Sequence, residues 1–181
     1  MTPPFYTIGH STRSLDGFIA LMKAFGIAMV ADIRTVPRSR TNPQFNEDVL
    51  RRDLAASGLS YEHVAALGGL RGKSKTVPAE VNGLWRNDSF HNYADYALSP
   101  EFRAALEHLR GEGHRRRCAM MCAEAVWWRC HRRIVADYLI VRNEPVFHIM
   151  GEGRLEPARL TPGAVAQPDG TVRYPPEGPV P

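Results

Sequence analysis

The sequence is poor in the features that most readily assign a protein to a class. It contains only three cysteines in 181 residues, and this odd number argues against a disulfide framework. No apolar run approaches the roughly 18 residues that a membrane-spanning helix requires. Residues 1–4 are not a basic segment followed by an apolar core, so no secretory signal is predicted. We therefore expect a cytoplasmic protein without a membrane partner.

Nucleotide-binding fingerprints are missing as well. Neither a G-x-x-x-x-G-K-[ST] loop nor a G-x-G-x-x-G turn is present. Of the 23 basic residues only Lys23, Lys73 and Lys75 are lysines, and the other 20 are arginines. Arginine suits bidentate binding of phosphate or carboxylate, although a coding bias that replaces lysine by arginine explains the same excess. The net charge of +4 does not by itself indicate a nucleic-acid partner.

The composition is that of an ordinary globular domain. Apolar residues make up 44% and charged residues 23% of the chain, which excludes a wholly disordered or collagen-like protein. The composition changes after Met150, because residues 151–181 hold 7 of the 14 prolines and 5 of the 15 glycines. We predict one domain over residues 1–150 and an extended Pro/Gly-rich tail over residues 151–181.

Strand and helix patterns alternate through the predicted domain. Short apolar runs bounded by turn residues predict strands at residues 5–9, 28–33, 60–64, 118–122 and 145–150. Helices are predicted to start after Ser14, Asn46 and Ser99, and a further helix is predicted over residues 128–142. This order favours an α/β fold, with a mostly parallel sheet of about five strands and helices on both faces.

Polar and titratable residues follow nearly every predicted strand. They are His10, Ser11 and Arg13 after the first strand, Asp32, Arg34 and Ser39 after the second, His63 after the third, and Cys122, Glu124, Cys130, His131 and Arg132 after the fourth. Ligands of open parallel sheets bind at the carboxyl ends of the strands. The pattern therefore predicts one pocket at that edge, provided that the strand order brings these ends together.

These residues belong to an ordered series of motifs. The series is Thr7-Ile8-Gly9-His10-Ser11-x-Arg13, Asp32-x-Arg34-x-x-Pro37-x-Ser39, His63-x-x-x-Leu67-Gly68-Gly69, and Met121-Cys122-Ala123-Glu124 with Cys130-His131-Arg132. It resembles the bacterial family filed as domain of unknown function 488, over about residues 6–151. The resemblance implies a cytoplasmic α/β protein of uncharacterised activity and supplies no substrate. One departure is Val126-Trp127-Trp128, where the family is expected to have a proline.

The favoured function is an enzyme, a hydrolase or group transferase, that acts on a phosphate-bearing small molecule such as a nucleotide. Arg34, Arg132 and Arg13 would bind the anionic oxygens. Glu124 or Asp32 would supply acid or base chemistry, assisted by His10 or His63. Further substrate-binding candidates are Ser11, Ser39, His131 and Tyr93. Purely structural roles stay open: an ion pair between Asp32 and Arg34, a helix cap at Ser11, and an ion pair of Glu124 with Arg132 or Arg34.

Cys122 offers a different chemistry. It ends a strand just before a helix start, where the helix dipole and nearby arginines lower a thiol pKa. Rhodaneses and cysteine-dependent phosphatases place a nucleophilic cysteine at this point, with an arginine a few residues later, as Arg129 is here. The intervening loop has no glycine and contains two tryptophans, so it matches an amide cradle for an anion poorly. Thiol or sulfur-transfer chemistry at Cys122 is one alternative, and simple packing of this cysteine is another.

A non-catalytic module is the remaining alternative. Such a protein would bind nucleic acid or sense a ligand, and its affinity would fall steeply with salt. The residues that would carry it are Arg38, Arg40, Arg71, Lys73 and residues 115–117. The sequence leaves the choice between this module and an enzyme open.

Metal binding is not favoured. Cys122, Cys130 and His131 do not have the spacing of common zinc sites, in which paired ligands lie roughly two to five residues apart. His10 or His63 would have to complete the ligand set. We predict no cofactor and no metal site, and the oligomeric state stays open.

Overall fold

The computed structural model describes residues 1–178, and residues 179–181 of the predicted tail lie outside the described part. The helices are α1 Leu15–Ala24, α2 Glu47–Ala56, α3 Asp88–Tyr96, α4 Pro100–Arg115 and α5 Arg132–Ile140. The strands are β1 Phe5–Gly9, β2 Met29–Asp32, β3 Ser60–His63, β4 Cys118–Cys122, β5 Val146–Gly151, β6 Arg154–Pro157, β7 Val165–Ala166 and β8 Val172–Arg173.

The main sheet has the strand order β3-β2-β4-β1-β5-β6. Its first five members are parallel, and β6 pairs antiparallel with β5. The predicted α/β fold with a mostly parallel sheet is confirmed. The sheet has one strand more than the five expected, because the chain turns back at Glu152 and Gly153 and forms a hairpin. The sequence did not reveal this hairpin, since β6 is exposed and lacks an apolar pattern.

The central strands β1, β2 and β4 bury side chains on both faces of the sheet. In β4, Cys118, Met120 and Cys122 belong to the core on one face, and Ala119 and Met121 belong to the core on the other. Helices α1 and α2 cover the second face, and helices α3, α4 and α5 cover the first. The alternation of side chains along a strand therefore places the two cysteines of β4 on the same face.

The predicted helix starts after Ser14, Asn46 and Ser99 are confirmed, and α5 begins later than expected. Ser14 and Ser99 accept hydrogen bonds from the backbone N–H groups of Gly17 and Phe102, as N-caps do. Helix α5 starts at Arg132 rather than at residue 128. A 3₁₀ turn over Trp127–Arg129 and an extended Cys130 precede it. This turn leads the chain back over the end of β4.

Part of the predicted tail packs against the domain. Tyr174 is fully buried, and its hydroxyl donates a 2.8 Å hydrogen bond to Asp137 of α5. The other oxygen of the Asp137 carboxylate accepts a 2.9 Å bond from the backbone N–H of Thr161. These contacts hold residues 161–174 against the outer side of α5. No helix within residues 1–178 is long and apolar enough to cross a membrane.

Candidate functional site

The candidate site lies where the carboxyl ends of β1, β2 and β4 meet. These strands are neighbours in the sheet, with Gly9 of β1 beside Cys122 and Asp32 of β2 beside Met121. After β1 and β2 the chain continues to helices on one face, and after β4 it continues to α5 on the other. Such a divergence opens a crevice beyond the strand ends. A pocket of about 430 Å³ occupies it, and Arg34, Cys122, Glu124, Cys130 and His131 contribute to its walls.

A pair of thiols lies in this pocket. The Sγ atoms of Cys122 and Cys130 are 2.8 Å apart and no disulfide joins them. The Nη1 atom of Arg132 donates to Cys122 Sγ at 2.7 Å. Burial opposes ionisation of Cys122, but the hydrogen bond from the Cys130 thiol and the charge of Arg132 outweigh it and lower its pKa to about 7. Burial and the neighbouring Cys122 raise the pKa of Cys130 well above its usual value, so Cys122 holds the negative charge.

The guanidinium group of Arg132, the first residue of α5, lies inside the turn that follows β4. The side chain is fully buried. Its Nη1 atom also donates to the carbonyl of Glu124 at 2.7 Å, and Nη2 donates to the carbonyl of Ala125 at 3.2 Å. Gly9 is required here, because a Cβ atom at this position would collide with the Glu124 carbonyl oxygen. Arg132 therefore holds the turn in place by hydrogen bonds and also stabilises the thiolate of Cys122 by its positive charge.

His131 is a neutral imidazole with a fixed orientation. Its Nε2 atom donates to the carbonyl of Ile33 at 2.7 Å, so Nδ1 carries no proton and faces Cys130 Sγ at 3.5 Å. Burial lowers the pKa of His131 to about 4. A Cβ atom on Gly69 would lie 2.5 Å from Nδ1, which explains a glycine at that place in the motif. The Tyr93 ring packs edge-on against the imidazole at 5.1 Å, and its hydroxyl bonds to Leu67.

Asp32 and Arg34 form a buried ion pair beside the thiols. Arg34 donates from Nε and Nη2 to the two carboxylate oxygens at 2.9 and 2.7 Å, and Nη2 donates again to the carbonyl of Phe45. The Tyr61 hydroxyl donates to the same carboxylate at 2.6 Å. This is the ion pair that the sequence left open. Both carboxylate oxygens of Asp32 are therefore engaged, and only the Nη1 hydrogens of Arg34 are available for other partners.

His10 and His63 both support Arg34. His10 donates from Nδ1 to the carbonyl of Ser11 at 2.8 Å, so its Nε2 accepts from Arg34 Nη1 at 3.4 Å. Its ring stacks on Phe45 at 4.2 Å, and burial lowers its pKa. His63 donates from Nε2 to the Arg34 carbonyl at 2.7 Å. Both histidines therefore hold Arg34 in place after β2, and His10 accepts one of the Nη1 hydrogens of Arg34.

The remaining predicted site residues lie at the margin. Arg13 donates long hydrogen bonds to the carbonyls of Gly9 and Met150, and Ser39 bonds within its own loop. Ser11 has a φ of 48° and donates its backbone N–H to Ala123. Glu124 is exposed, and its carboxylate makes no ion pair within residues 1–178. Arg132 bonds to the Glu124 carbonyl instead.

The basic residues of the proposed nucleic-acid surface lie at both edges of the sheet. Arg38 belongs to the pocket rim, and Arg71 lies over the Tyr96 ring at 3.8 Å. Residues 115–117 precede β4 and lie at the opposite edge of the sheet, where Arg115 and Arg116 pair with Glu112. Within residues 1–178, no group of three or more His, Cys, Asp or Glu side chains is arranged to hold a metal ion.

Sequence reasoning collected Cys130 after the fourth strand and named Arg129 as the arginine that follows Cys122, but it placed neither among the catalytic or substrate-binding residues and predicted no contact between Cys122 and Cys130. Cys130 contacts Cys122 only because the turn before α5 is short and extended, and a continuous helix from residue 128 would have hidden this pairing. Arg129 is exposed at the pocket wall. The signal in the sequence was a second cysteine and two arginines directly after the fourth strand.

Comparison with known proteins identifies the family but no activity. Comparisons with curated proteins and with solved structures give no match. The family model of the domain of unknown function DUF488 matches residues 14–139. That range includes Asp32, Arg34, Cys122, Cys130 and Arg132, so the described pocket falls largely within it. The match covers well over half of the chain, and the protein belongs to the DUF488 family.

Proposed function

We propose that this protein is a thiol-dependent hydrolase or group transferase in which Cys122 attacks an anionic small molecule. The observation that carries the proposal is the 2.7 Å contact between Arg132 Nη1 and Cys122 Sγ at the wall of the pocket. A thiolate, not a thiol, is the nucleophile, and a pKa of about 7 leaves about half of Cys122 ionised at neutral pH.

The reaction proceeds through a covalent intermediate. The Cys122 sulfur forms a bond to the electrophilic atom of the substrate, and the bond to the leaving group breaks with its electron pair on that group. Water or a second acceptor then takes the transferred group from the sulfur, which returns as a thiolate stabilised by Arg132. With water the outcome is hydrolysis, and with another acceptor it is group transfer.

The other candidate residues favour this thiol mechanism over an arginine clamp. The Nη1 and Nη2 donors of Arg132 are directed to Cys122 and to two backbone carbonyls, and those of Arg34 mainly to Asp32 and Phe45. A clamp built from these two arginines would break buried bonds that hold the strand ends. Cys122, by contrast, faces the pocket with its charge already stabilised.

The charge of the pocket favours an anionic substrate. Arg38 and Arg129 lie at the pocket, are exposed, and make no side-chain ion pair or hydrogen bond within the described chain. Val36 and Leu70, exposed by 56% and 73%, lie at the same pocket as Arg38. Two free guanidinium groups beside apolar side chains suit a molecule with an anionic end and an apolar body, such as a phosphate ester.

Alkylation kinetics test the nucleophile. In the variant Cys118→Ser, the rate of carbamidomethylation at Cys122 by iodoacetamide is measured by mass spectrometry from pH 5 to pH 10. We expect a half-maximal rate near pH 7, because the thiolate reacts and the pKa of Cys122 is about 7. A midpoint at about 8.5, the value of an ordinary thiol, would refute the proposal, as would no reaction at Cys122.

A second reagent tests the charge of the substrate. Iodoacetate carries a negative charge, whereas iodoacetamide is neutral and of nearly the same size. We expect the double variant Arg38→Gln/Arg129→Gln to slow iodoacetate several-fold and to leave iodoacetamide unchanged. The matched control Arg115→Gln/Arg117→Gln, at the opposite edge of the sheet, should change neither rate. Protection of Cys122 by phosphate, pyrophosphate or a nucleoside monophosphate would then identify the anionic group.

A further inference from the structure

We propose that Cys130 is the resolving thiol of Cys122, so that the pocket also reduces hydroperoxides through a dithiol–disulfide cycle. The two Sγ atoms are 2.8 Å apart, while a disulfide bond measures about 2.05 Å. Closing the bond therefore needs a movement of less than about 1 Å. The inference rests on the nucleophilic Cys122 of the proposed function and adds a second reaction at the same sulfur.

The location of Cys130 permits this movement. It stands between the 3₁₀ turn Trp127–Arg129 and the start of α5, in extended backbone. Its backbone N–H donates to Trp127 within the turn, and no strand ladder or long helix has to break when its side chain shifts. Cys122 is fixed at the end of β4, so Cys130 is the partner that moves.

The chemistry balances with a hydroperoxide as oxidant and a dithiol as reductant. The Cys122 thiolate attacks the terminal peroxide oxygen, the O–O bond breaks, and the alkoxide or hydroxide leaves with the electron pair and takes a proton from solvent water. Cys122 becomes a sulfenic acid. Cys130 sulfur then attacks Cys122 sulfur, the S–O bond breaks, and the hydroxyl leaves as water with the Cys130 proton. An external dithiol reduces the disulfide and restores both thiols.

Two neighbours of Cys130 assist the second step. In the reduced pair, the Cys130 thiol donates to the Cys122 thiolate. Oxidation of Cys122 removes that acceptor, and the unprotonated Nδ1 of His131, 3.5 Å from Cys130 Sγ, is then available to accept the hydrogen bond of the Cys130 thiol until its proton passes to the leaving hydroxyl. The backbone N–H of Arg132 donates to Cys130 Sγ at 3.5 Å and stabilises the negative charge that develops there. His131 is thus a positioning residue for closure of the disulfide.

The test uses the full chain with Cys118→Ser, which leaves Cys122 and Cys130 as the cysteines. Stoichiometric hydrogen peroxide should produce an intact mass lower by two hydrogen atoms, reversed by dithiothreitol. In Cys118→Ser/Cys130→Ser, the same treatment should leave a sulfenic acid at Cys122 that dimedone traps. A mixture of sulfinic and sulfonic acids in Cys118→Ser, without a disulfide, would overturn the inference.

The role of His131 is tested separately. Gln in place of His131 keeps a donor near the Ile33 carbonyl and removes the acceptor at Nδ1. We expect His131→Gln to slow disulfide closure by about tenfold, while the rate of sulfenic acid formation is unchanged. Equal slowing of both steps would assign a merely structural role to His131. If Cys122 ionises near pH 7 but no disulfide forms, the resolving thiol is refuted and the proposed function stands. An unreactive Cys122 refutes both.

Discussion

The two cysteines of β4 have very different pKa values, because they lie at opposite edges of the sheet. Cys118 begins β4 and Cys122 ends it, both are buried, and both point to the same face. Burial raises the pKa of Cys118 to about 12, whereas Cys122 has a pKa of about 7. The strand supplies the same backbone to both. The difference comes from the turn after β4, which brings Arg132 and Cys130 to one thiol alone.

The arginines differ between the two edges in the same way. At the amino edge, Arg115 and Arg116 pair with Glu112 at 3.0 and 2.8 Å, and both guanidinium groups are solvent-exposed. Such surface pairs contribute little to stability. At the carboxyl edge, Arg132 is fully buried and one of its partners is a thiol. A buried cation without a carboxylate partner is costly, so its charge is compensated by the ionised sulfur.

The largest effect is expected from Arg132→Met. Without the guanidinium, burial raises the pKa of Cys122 toward that of Cys118, because no cation then compensates the charge of the thiolate. The rate of carbamidomethylation at pH 7 should fall by about 100-fold or more. The protein should also lose about 3 kcal/mol of unfolding free energy, since two carbonyls of the turn lose their donor.

The matched control for this prediction lies at the other edge of the strand. Arg116→Met removes a guanidinium that bonds to Glu112 and Ser60 but does not contact Cys122. Its alkylation rate should equal that of the parent protein. Circular dichroism must show that both variants are folded at the assay temperature. Should a folded Arg132→Met react as fast as the parent, the contrast between the two edges would have another cause.

The features of the two edges that depend on the periodicity of apolar residues could be predicted from the sequence. Apolar runs predicted the buried strands, caps at Ser14 and Ser99 predicted two helices, and the strand-end rule collected most residues of the pocket. The strand order was out of reach, because pairing between strands far apart in the chain leaves no local pattern. The contact of Cys122 with Cys130 was missed for the same reason, since it depends on the geometry of one short turn.

Arginine roles were the least predictable part of the site. The sequence offered Arg34 and Arg132 as anion clamps, and both are buried with intramolecular partners. Nothing in the spacing distinguishes a guanidinium that faces a ligand from one that holds backbone carbonyls. Only the position of the turn and of Phe45 decides where the donors point.

The pH dependence of stability gives an effect of intermediate size with opposite signs for the two cysteines. The thiols of the unfolded chain have the ordinary pKa of about 8.5. Between pH 7 and 9 the native state has lost the Cys122 proton that the unfolded chain still binds, so the unfolding free energy rises with pH. Above pH 9 the unfolded chain loses the Cys118 proton that the native state keeps, so the unfolding free energy falls. Each of these two thiols contributes a slope of at most about 1.4 kcal/mol per pH unit.

Urea unfolding at several pH values, with a reductant present, measures both slopes. Cys122→Ser should remove the rise between pH 7 and 9, which amounts to about 2 kcal/mol in total. Cys118→Ser should keep that rise and reduce the fall above pH 9. Part of the fall should persist, because Cys130 also has a raised pKa. A parent protein whose stability is level between pH 7 and 9 would contradict the ionised state of Cys122.

The smallest effect is expected from Glu124→Gln. This substitution measures how far an exposed carboxylate repels an approaching anion without touching it. Glu124 lies at the pocket and is exposed, and its carboxylate repels an approaching anion through water. Repulsion at that dielectric amounts to about 1 kcal/mol or less. The variant should therefore react about two- to fivefold faster with iodoacetate at low salt. Iodoacetamide should react at the parent rate.

Glu112→Gln, at the amino edge, is the control of equal charge change. It should leave both reagents unaffected, because the carboxylate of Glu112 lies at the other end of the sheet and is paired with arginine. Added salt should abolish the faster reaction of Glu124→Gln with iodoacetate, because salt screens charges that interact through water more strongly than charges in direct contact. A gain that persists at high salt, or one that extends to the neutral reagent, would mean that Glu124 acts on the geometry of the turn rather than on the approach of the anion.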